Sequence, residues 1–340
     1  MHRTRILLLF GGESPEHEVS IASARNVYAA LDDRKYDILL GYITKQGHWH
    51  LVDDIETLEG THKNLLPVPG GKHFLVEPGG HSVVPDVILP ILHGGTGEDG
   101  ALQGLAKMTH IPIVGCDILG SAICMDKEVA KRLLRAANLP VADYILHRKH
   151  QLLPAFSHVT LELGNPVFVK PASAGSSVGV RHVYNETQFA NAITEALKYD
   201  HKVLIEQAMA GREIECAVLG NEKPEASGLG EIKPSDAEGF YSYDAKYSAT
   251  SQTELIIPAD LPEDITAKVR EIALSAYRAL ECRGLARVDF FVANDGSITI
   301  NEINTLPGFT NISMYPKLWR AAGLSYAGLI DKLISFALEK

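Results

Sequence analysis

The chain has little of what several functional classes require. Lysine and arginine total 32 against 42 aspartates and glutamates, a net charge of −10 with histidine neutral. No basic run exceeds Arg34-Lys35 or His147-Arg148-Lys149, so the clustered positive charge of a nucleic-acid binder is missing. Cysteine is scarce: Cys116, Cys124, Cys216 and Cys282 form no CxxC pair and have no histidine at zinc spacing. Their apolar surroundings predict buried, reduced thiols. No apolar run approaches the length of a membrane span. Behind the basic Met1–Arg5 the apolar stretch is only Ile6 to Phe10, short of a secretory signal core, and a cytoplasmic location is expected. Three nucleotide motifs are also absent: the P-loop GxxxxGK[ST], the kinase HRD and DFG pair, and GxGxxG. The first candidate strand ends in Gly11-Gly12-Glu13-Ser14-Pro15-Glu16, which lacks the third glycine and puts an acid where a pyrophosphate would sit. A dehydrogenase is disfavoured.

What is present is an ordinary globular composition, 46% hydrophobic over 340 residues. At about 150 residues per domain this predicts two domains or three small ones, large enough to fold without a metal or disulfide. Ile6–Phe10, Asp37–Thr44, Val87–Leu92 and Ile111–Val114 read as strands, with helical spacing over Val19–Leu31 and Ala101–Met108. Strand-turn-helix repetition predicts a doubly wound parallel α/β unit. Residues 54–85, rich in Gly, Pro and His, read as a loop with little regular structure. A single helix is expected from Ser121 to about Ala137, then a strand at Val141–Ile145. Further strands are expected at Val167–Lys170, Val203–Gln207, Glu213–Leu219 and Gly228–Ile232. Helices are expected at Glu186–Lys198, Asp264–Glu281 and from near Leu324. Arg287–Val292 and Ile298–Ile303, joined by Asn294-Asp295-Gly296, form a predicted hairpin. The fold class is therefore α/β followed by α+β.

Two features carry chemistry. Lys170 ends a strand and is followed by Ala174-Gly175-Ser176-Ser177-Val178-Gly179. A lysine there can meet a phosphate as a point charge, and the small residues beyond let backbone N–H groups approach phosphate oxygens. A plain hairpin turn would use similar residues. On the predicted hairpin, Arg287 and Asp289 share a strand face, as do Glu302 and Asn304 on the partner, because side chains alternate. Two carboxylates and an amide oxygen would meet at one point, a hard oxygen site suited to Mg²⁺ with a triphosphate. The alternative is a solvated polar face, which the flanking Val288, Phe290 and Ile303 disfavour.

Seven blocks occur in order: Gly11–Ser20, His93-Gly94 with Gly97–Gly100, Met125-Asp126-Lys127, Lys170 with Gly175–Gly179, Lys246-Tyr247, Arg287–Asp289, and Asn301–Asn304 with Pro307-Gly308. Together they resemble the D-alanine–D-alanine ligase family, of the ATP-grasp fold, from about residue 5 to residue 335. The resemblance implies an N-terminal α/β domain (1–120), a central ATP-grasp domain (121–212) and a C-terminal domain (213–340). It implies that ATP phosphorylates the carboxylate of one D-alanine and the amine of a second displaces phosphate, for peptidoglycan precursors. Two Mg²⁺ ions, with Mn²⁺ an alternative, would sit at Asp289, Glu302 and Asn304. Lys127 and Lys170 would meet phosphates, Ser177 and Lys246 would also bind the nucleotide, Glu206 and the backbone near Met209 would meet adenine, and Glu213 ribose. Edge-strand solvation is the other reading of Glu206. Arg287 and the Gly308 backbone would hold the oxyanion.

Toward the amino acids, the resemblance implies that Glu16 takes the first ammonium, with His93 nearby. A glutamate there also suits a helix start. Ser176 would join Glu16 and Tyr247 in a hydrogen-bonded triad, and Ser313 and Met314 would line the second D-alanine pocket. The polar stretch 233–253, long for a structureless loop, would be a closing loop that excludes water from an acylphosphate. Lys246-Tyr247 resembles the peptide-forming members, whereas D-lactate-using relatives carry histidine at the second position. A D-alanine–D-lactate or D-alanine–D-serine ligase is the alternative within the class, and a non-catalytic nucleotide-binding regulator the alternative outside it. The expected partners are D-alanine, ATP and a second copy of the chain, with neither nucleic acid nor membrane.

Overall fold

The computed structural model describes residues 3–60, 62–175, 178–233 and 254–339. Ile6–Phe10 have no solvent exposure at all. A strand apolar on both faces belongs inside a sheet covered on both sides. Strand β1 (Thr4–Gly11) accordingly lies between β2 (Tyr36–Ile43) and β7 (Val87–Ile91), parallel to each, with α1 (His17–Ala30) packed against it. Gly11 ends β1 with φ +93°, and a Cβ there would stand 2.1 Å from the Ile43 carbonyl oxygen, so only glycine serves.

Residues 54–85 are not the irregular loop their composition predicts. After β3 (Trp49–Val52) come β4 (Lys63–Val68), β5 (His73–Glu77) and β6 (His81–Val83), which extend the sheet antiparallel in the order β6-β5-β4-β3-β2-β1-β7. The glycine pairs Gly70-Gly71 and Gly79-Gly80 are hairpin turns, with positive φ at Gly70, Gly79 and Gly80. Only Leu65, Phe74 and Val76 are fully buried, between more exposed neighbours, so the apolar signal is sparse. Ile111–Val114 is also not a strand. It makes one isolated bridge, Ile113 to Ile88, after α2 (Ala101–Thr109).

The expected helix from Ser121 is two helices, α3 (Ile118–Met125) and α4 (Lys127–Ala136). Asp126 breaks it in extended conformation, and its carboxylate accepts from the Glu128 and Val129 amides at 3.1 and 3.2 Å. This cap makes Lys127 the first residue of α4.

The second sheet comprises β8 (Tyr144–Arg148), β9 (Val167–Pro171), β10 (Arg181–Val183) and β11 (Lys202–Gln207) in the order β10-β9-β11-β8. Val141, expected in the strand now at β8, instead bridges to Ile300. Val167, Val169, Val203 and Ile205 face α5 (Phe156–Leu163) and α6 (Glu186–Ala196). Alternation then turns Phe168, Lys170 and Glu206 to the opposite face.

The third sheet is antiparallel: β12 (Arg212–Leu219), β13 (Glu225–Lys233), β14 (Glu254–Ile256), β15 (Leu285–Val292) and β16 (Ile298–Asn304), in the order β14-β13-β12-β15-β16. Helix α7 (Glu263–Ala279) covers one face through Val269 and Ala273 on Ile214, Cys216, Val288 and Phe290. Helices α8 (Met314–Ala321) and α9 (Tyr326–Leu338) join α1 and the end of β12 in another core. No single helix among the described residues is long and apolar enough to cross a membrane; α8 and α9, bent by 104°, qualify only as a pair. All four cysteines are free and buried, as expected.

Candidate active site

Sheets two and three face each other across a cleft that opens to solvent. Phe168, Lys170, Glu206, Gln207 and Met209 form one wall, and Glu213, Glu215, Arg287, Asp289, Phe291 and Glu302 the other, with Lys127 at the edge.

Glu302 reaches the cleft because β16 is bulged. Asp289 pairs with Glu302, but the next residue, Phe290, pairs with Ile300, leaving Asn301 as the extra residue. In an unbroken strand Glu302 would share a face with Ile300, which is fully buried in the core beneath α7. The bulge reverses that parity and aims Glu302 across at Asp289. Asn304 stands opposite Arg287, and its Oδ1 accepts the Leu306 N–H at 3.1 Å.

Arg287 is a cation enclosed by acids. Its guanidinium donates two hydrogen bonds of 2.7 Å to Asp289 and lies 3.1 Å from Glu215. Burial opposes its charge, but Asp289 and Glu215 more than offset it, so the group stays protonated. Lys127 Nζ donates to the Ala174 carbonyl at 2.7 Å and sits 3.9 Å from Glu302 Oε2. Among the described residues, Glu215, Asp289 and Glu302 gather around Arg287 and Lys127.

At the other end, Glu206 forms ion pairs with both Lys131 and Lys170. Burial pushes the Glu206 carboxyl up, yet the two ammonium groups hold it below the usual carboxylate range. The edge-strand reading of Glu206 fails: β11 is an inner strand, and Glu206 is 4% exposed.

A third cluster joins the first sheet to the other two. Glu16 precedes α1 and is buried; a Cβ on Gly94 would stand 3.0 Å from Glu16 Oε2 and one on Gly175 3.8 Å from Gly94 Cα. His93 is buried, and burial holds its imidazole below the ordinary value. Its Nδ1–H donates to the Leu306 carbonyl at 3.1 Å, which leaves Nε2 to accept from the Ser23 hydroxyl at 3.2 Å. Glu98 accepts the Gly94 N–H at 2.8 Å, and burial pushes its carboxyl up to about 8, with Glu16 and Glu302 adding to the shift.

The N-terminal model of the D-ala D-ala ligase matches residues 5–116 and the C-terminal model residues 133–335. The chain belongs to the D-alanine–D-alanine ligase family. D-alanine–D-alanine ligase A of Chromobacterium violaceum is 51% identical over 355 aligned positions, covering 100% of this chain and 96% of that one. Among solved structures, the VanG D-Ala:D-Ser ligase of Enterococcus faecalis superposes with TM-score 0.90 at 34% identity, covering 99% and 100% of the two chains. The Bacillus anthracis D-alanine–D-alanine ligase complexed with ATP superposes with TM-score 0.75 at 30% identity, covering 99% and 98%. The fold is therefore that of the ATP-grasp ligases.

Against the residues expected for that family, the cleft gathers Lys127, Lys170, Glu206, Met209, Glu213, Arg287, Asp289 and Glu302. Glu16 and His93 lie together in the third cluster. At Gly308 a Cβ would stand 3.0 Å from Ser313 Oγ, which accepts the Thr310 N–H at 3.1 Å. Met314 is buried, its sulfur filling the space beside Gly230. Ser176, Ser177, Lys246 and Tyr247, and all but Lys233 of the expected closing loop, lie outside the described residues. Sequence reasoning missed Lys131, Glu215 and Glu98. Lys131 follows Lys127 at i+4 and so shares its helix face, and Glu215 follows Glu213 at the strand period; both spacings were readable.

Proposed function

We infer that the chain uses ATP to join two D-alanines into D-alanyl-D-alanine through a D-alanyl phosphate, for peptidoglycan precursor synthesis. The observation that carries this is one cleft with Glu206 and Lys170 at one end and Arg287, Asp289 and Glu302 at the other. The apolar Phe168, Met209 and Phe291 suit a purine, Glu206 and the backbone near Met209 its polar edge, and Glu213 the ribose. Lys127 and Lys170 are assigned to the phosphates, and Ser177 and Lys246 also to the nucleotide. Asp289, Glu302 and Asn304 suit magnesium: they supply hard oxygens, two of them carboxylate, on facing positions of β15 and β16. Bound there, Mg²⁺ would neutralise the triphosphate charge.

The first D-alanine is held through its ammonium by Glu16, with His93 adjacent. Its carboxylate oxygen attacks the γ-phosphorus, and ADP leaves. The free amine of the second D-alanine, in a pocket bordered by Ser313 and Met314, attacks the acyl carbon, and phosphate leaves. Arg287 and the Gly308 N–H hold the developing oxyanion. Ser176 and Tyr247 support Glu16.

Domain boundaries near 120 and 212, a cytoplasmic location and a homodimer complete the reading. Exposed Met108, Ile118 and Leu119 on α2 and α3 support a dimer through the first unit. The deciding experiment incubates enzyme, ATP, Mg²⁺ and D-alanine with and without D-lactate or D-serine and identifies products by mass. D-alanyl-D-alanine as the dominant product at pH 7 supports the assignment; a depsipeptide or a D-serine product in its place overturns it.

A further inference from the structure

Glu206 holds two counter-ions where one would neutralise it. Lys131 reaches Oε1 from α4, and Lys170 reaches Oε2 from β9. The two lysines are placed differently. Lys170 lines the cleft, whereas Lys131 lies behind its wall and is 2% exposed. Burial drives the Lys131 ammonium down, with Lys170 and Arg135 as the other cations facing it. A buried ammonium in such company is not cheap packing, since a hydrophobic residue of the same volume is often at least as stabilising.

The arrangement makes sense if Lys170 has two partners in turn. A lysine that binds a phosphate must loosen its hold on Glu206, and a buried carboxylate left alone takes up a proton or turns away. We propose that Lys131 is a positioning residue that keeps Glu206 fixed and ionised while Lys170 engages a nucleotide phosphate, so that Glu206 stays an acceptor for the exocyclic amine of adenine. The site then rejects a purine that presents a carbonyl at that position. This rests on ATP lying in the cleft as assigned above.

The test compares steady-state kinetics with ATP and GTP. Lys131→Met folds, because Lys170 remains beside Glu206 in the free enzyme. It raises KM for ATP at least tenfold, leaves KM for D-alanine within twofold, and cuts the ATP-over-GTP ratio of kcat/KM at least tenfold. Lys131→Arg restores most of that ratio. Glu206→Gln, which removes the carboxylate itself, loses the same discrimination, and adding Lys131→Met to it changes the ratio less than twofold. Wild-type discrimination in Lys131→Met, or in Glu206→Gln should Lys131→Met fail to fold, overturns the proposal. Lys170→Met separates the two levels: an unchanged KM for ATP there refutes the placement of ATP itself. A raised KM there with normal discrimination in Lys131→Met refutes only the role of Lys131.

Discussion

Replacing Arg287 with methionine tests the charge balance of the cleft directly. The substitution removes two hydrogen bonds of 2.7 Å to Asp289 and the 3.1 Å contact with Glu215, while Lys127 stays 3.9 Å from Glu302. Removing one partner of a buried ion pair costs about 3–5 kcal/mol. At about 2–4 °C per kcal/mol for a large domain, the melting temperature at pH 8 falls by roughly 10 °C. The sign with pH follows from linkage. Without the guanidinium, the Asp289 and Glu215 carboxyls titrate higher in the folded protein than in the unfolded chain. The penalty is therefore full above the folded value and fades as pH falls toward the unfolded value of about 4. Differential scanning fluorimetry from pH 8 to pH 5 should show the gap to wild type shrinking. Millimolar Mg²⁺ at pH 8 should narrow it as well. Turnover should drop by about 10²–10³, the usual cost of an oxyanion donor. An equal gap at pH 8 and pH 5, unaffected by Mg²⁺, would mean that guanidinium packing rather than charge is what the variant loses, and the electrostatic account would fail.

Most strands and helices were legible because their apolar periods are strong. Ile6–Phe10 is an unbroken buried run, and Val167–Lys170 alternates between a core face and a cleft face. The exceptions have physical causes. Strands β4 to β6 bury so few residues that their glycines and histidines dominate the composition. Met125 and Lys127 fit one helical period, and only the Asp126 cap reveals two helices. The faces of Arg287, Asp289, Glu302 and Asn304 were readable within each strand, but the bulge that keeps Glu302 out of the core was not. Nothing in Ile300-Asn301-Glu302 announces an extra residue; it is fixed by Ile300 and Ile303 both packing beneath α7. Glu206 was legible as a candidate, but its burial was not, because its two lysines come from a helix and a strand distant in sequence. Residues identified by motif alone, such as Ser176 and Tyr247, owe their assigned roles to the family resemblance.

Three further outcomes are expected. Asp289→Asn and Glu302→Gln should each abolish ADP release while circular dichroism stays near wild type, since neutral ligands compensate the triphosphate poorly; near-normal turnover at ordinary Mg²⁺ would remove the metal assignment. Glu98→Gln keeps an acceptor for the Gly94 N–H but cannot ionise. Because the Glu98 carboxyl is raised to about 8 in the folded protein, wild type loses stability as pH rises from about 4 through 8, so the melting temperature of the variant relative to wild type should climb steadily from pH 4 to pH 9. No change in that difference with pH would show that this carboxylate is well solvated. The last outcome concerns the product and rests on Tyr247. A tyrosine, with an ordinary pKa of about 10, is neutral at pH 7 and does not repel an incoming D-alanine ammonium. A histidine titrates near neutrality, and its protonated form would disfavour that ammonium while tolerating the uncharged hydroxyl of D-lactate. Tyr247→His should therefore raise depsipeptide formation relative to dipeptide, and the ratio should climb as pH falls from 8 to 6. Equal loss of both products at every pH would mean that Tyr247 contributes shape alone, and that charge at this position does not choose the second substrate.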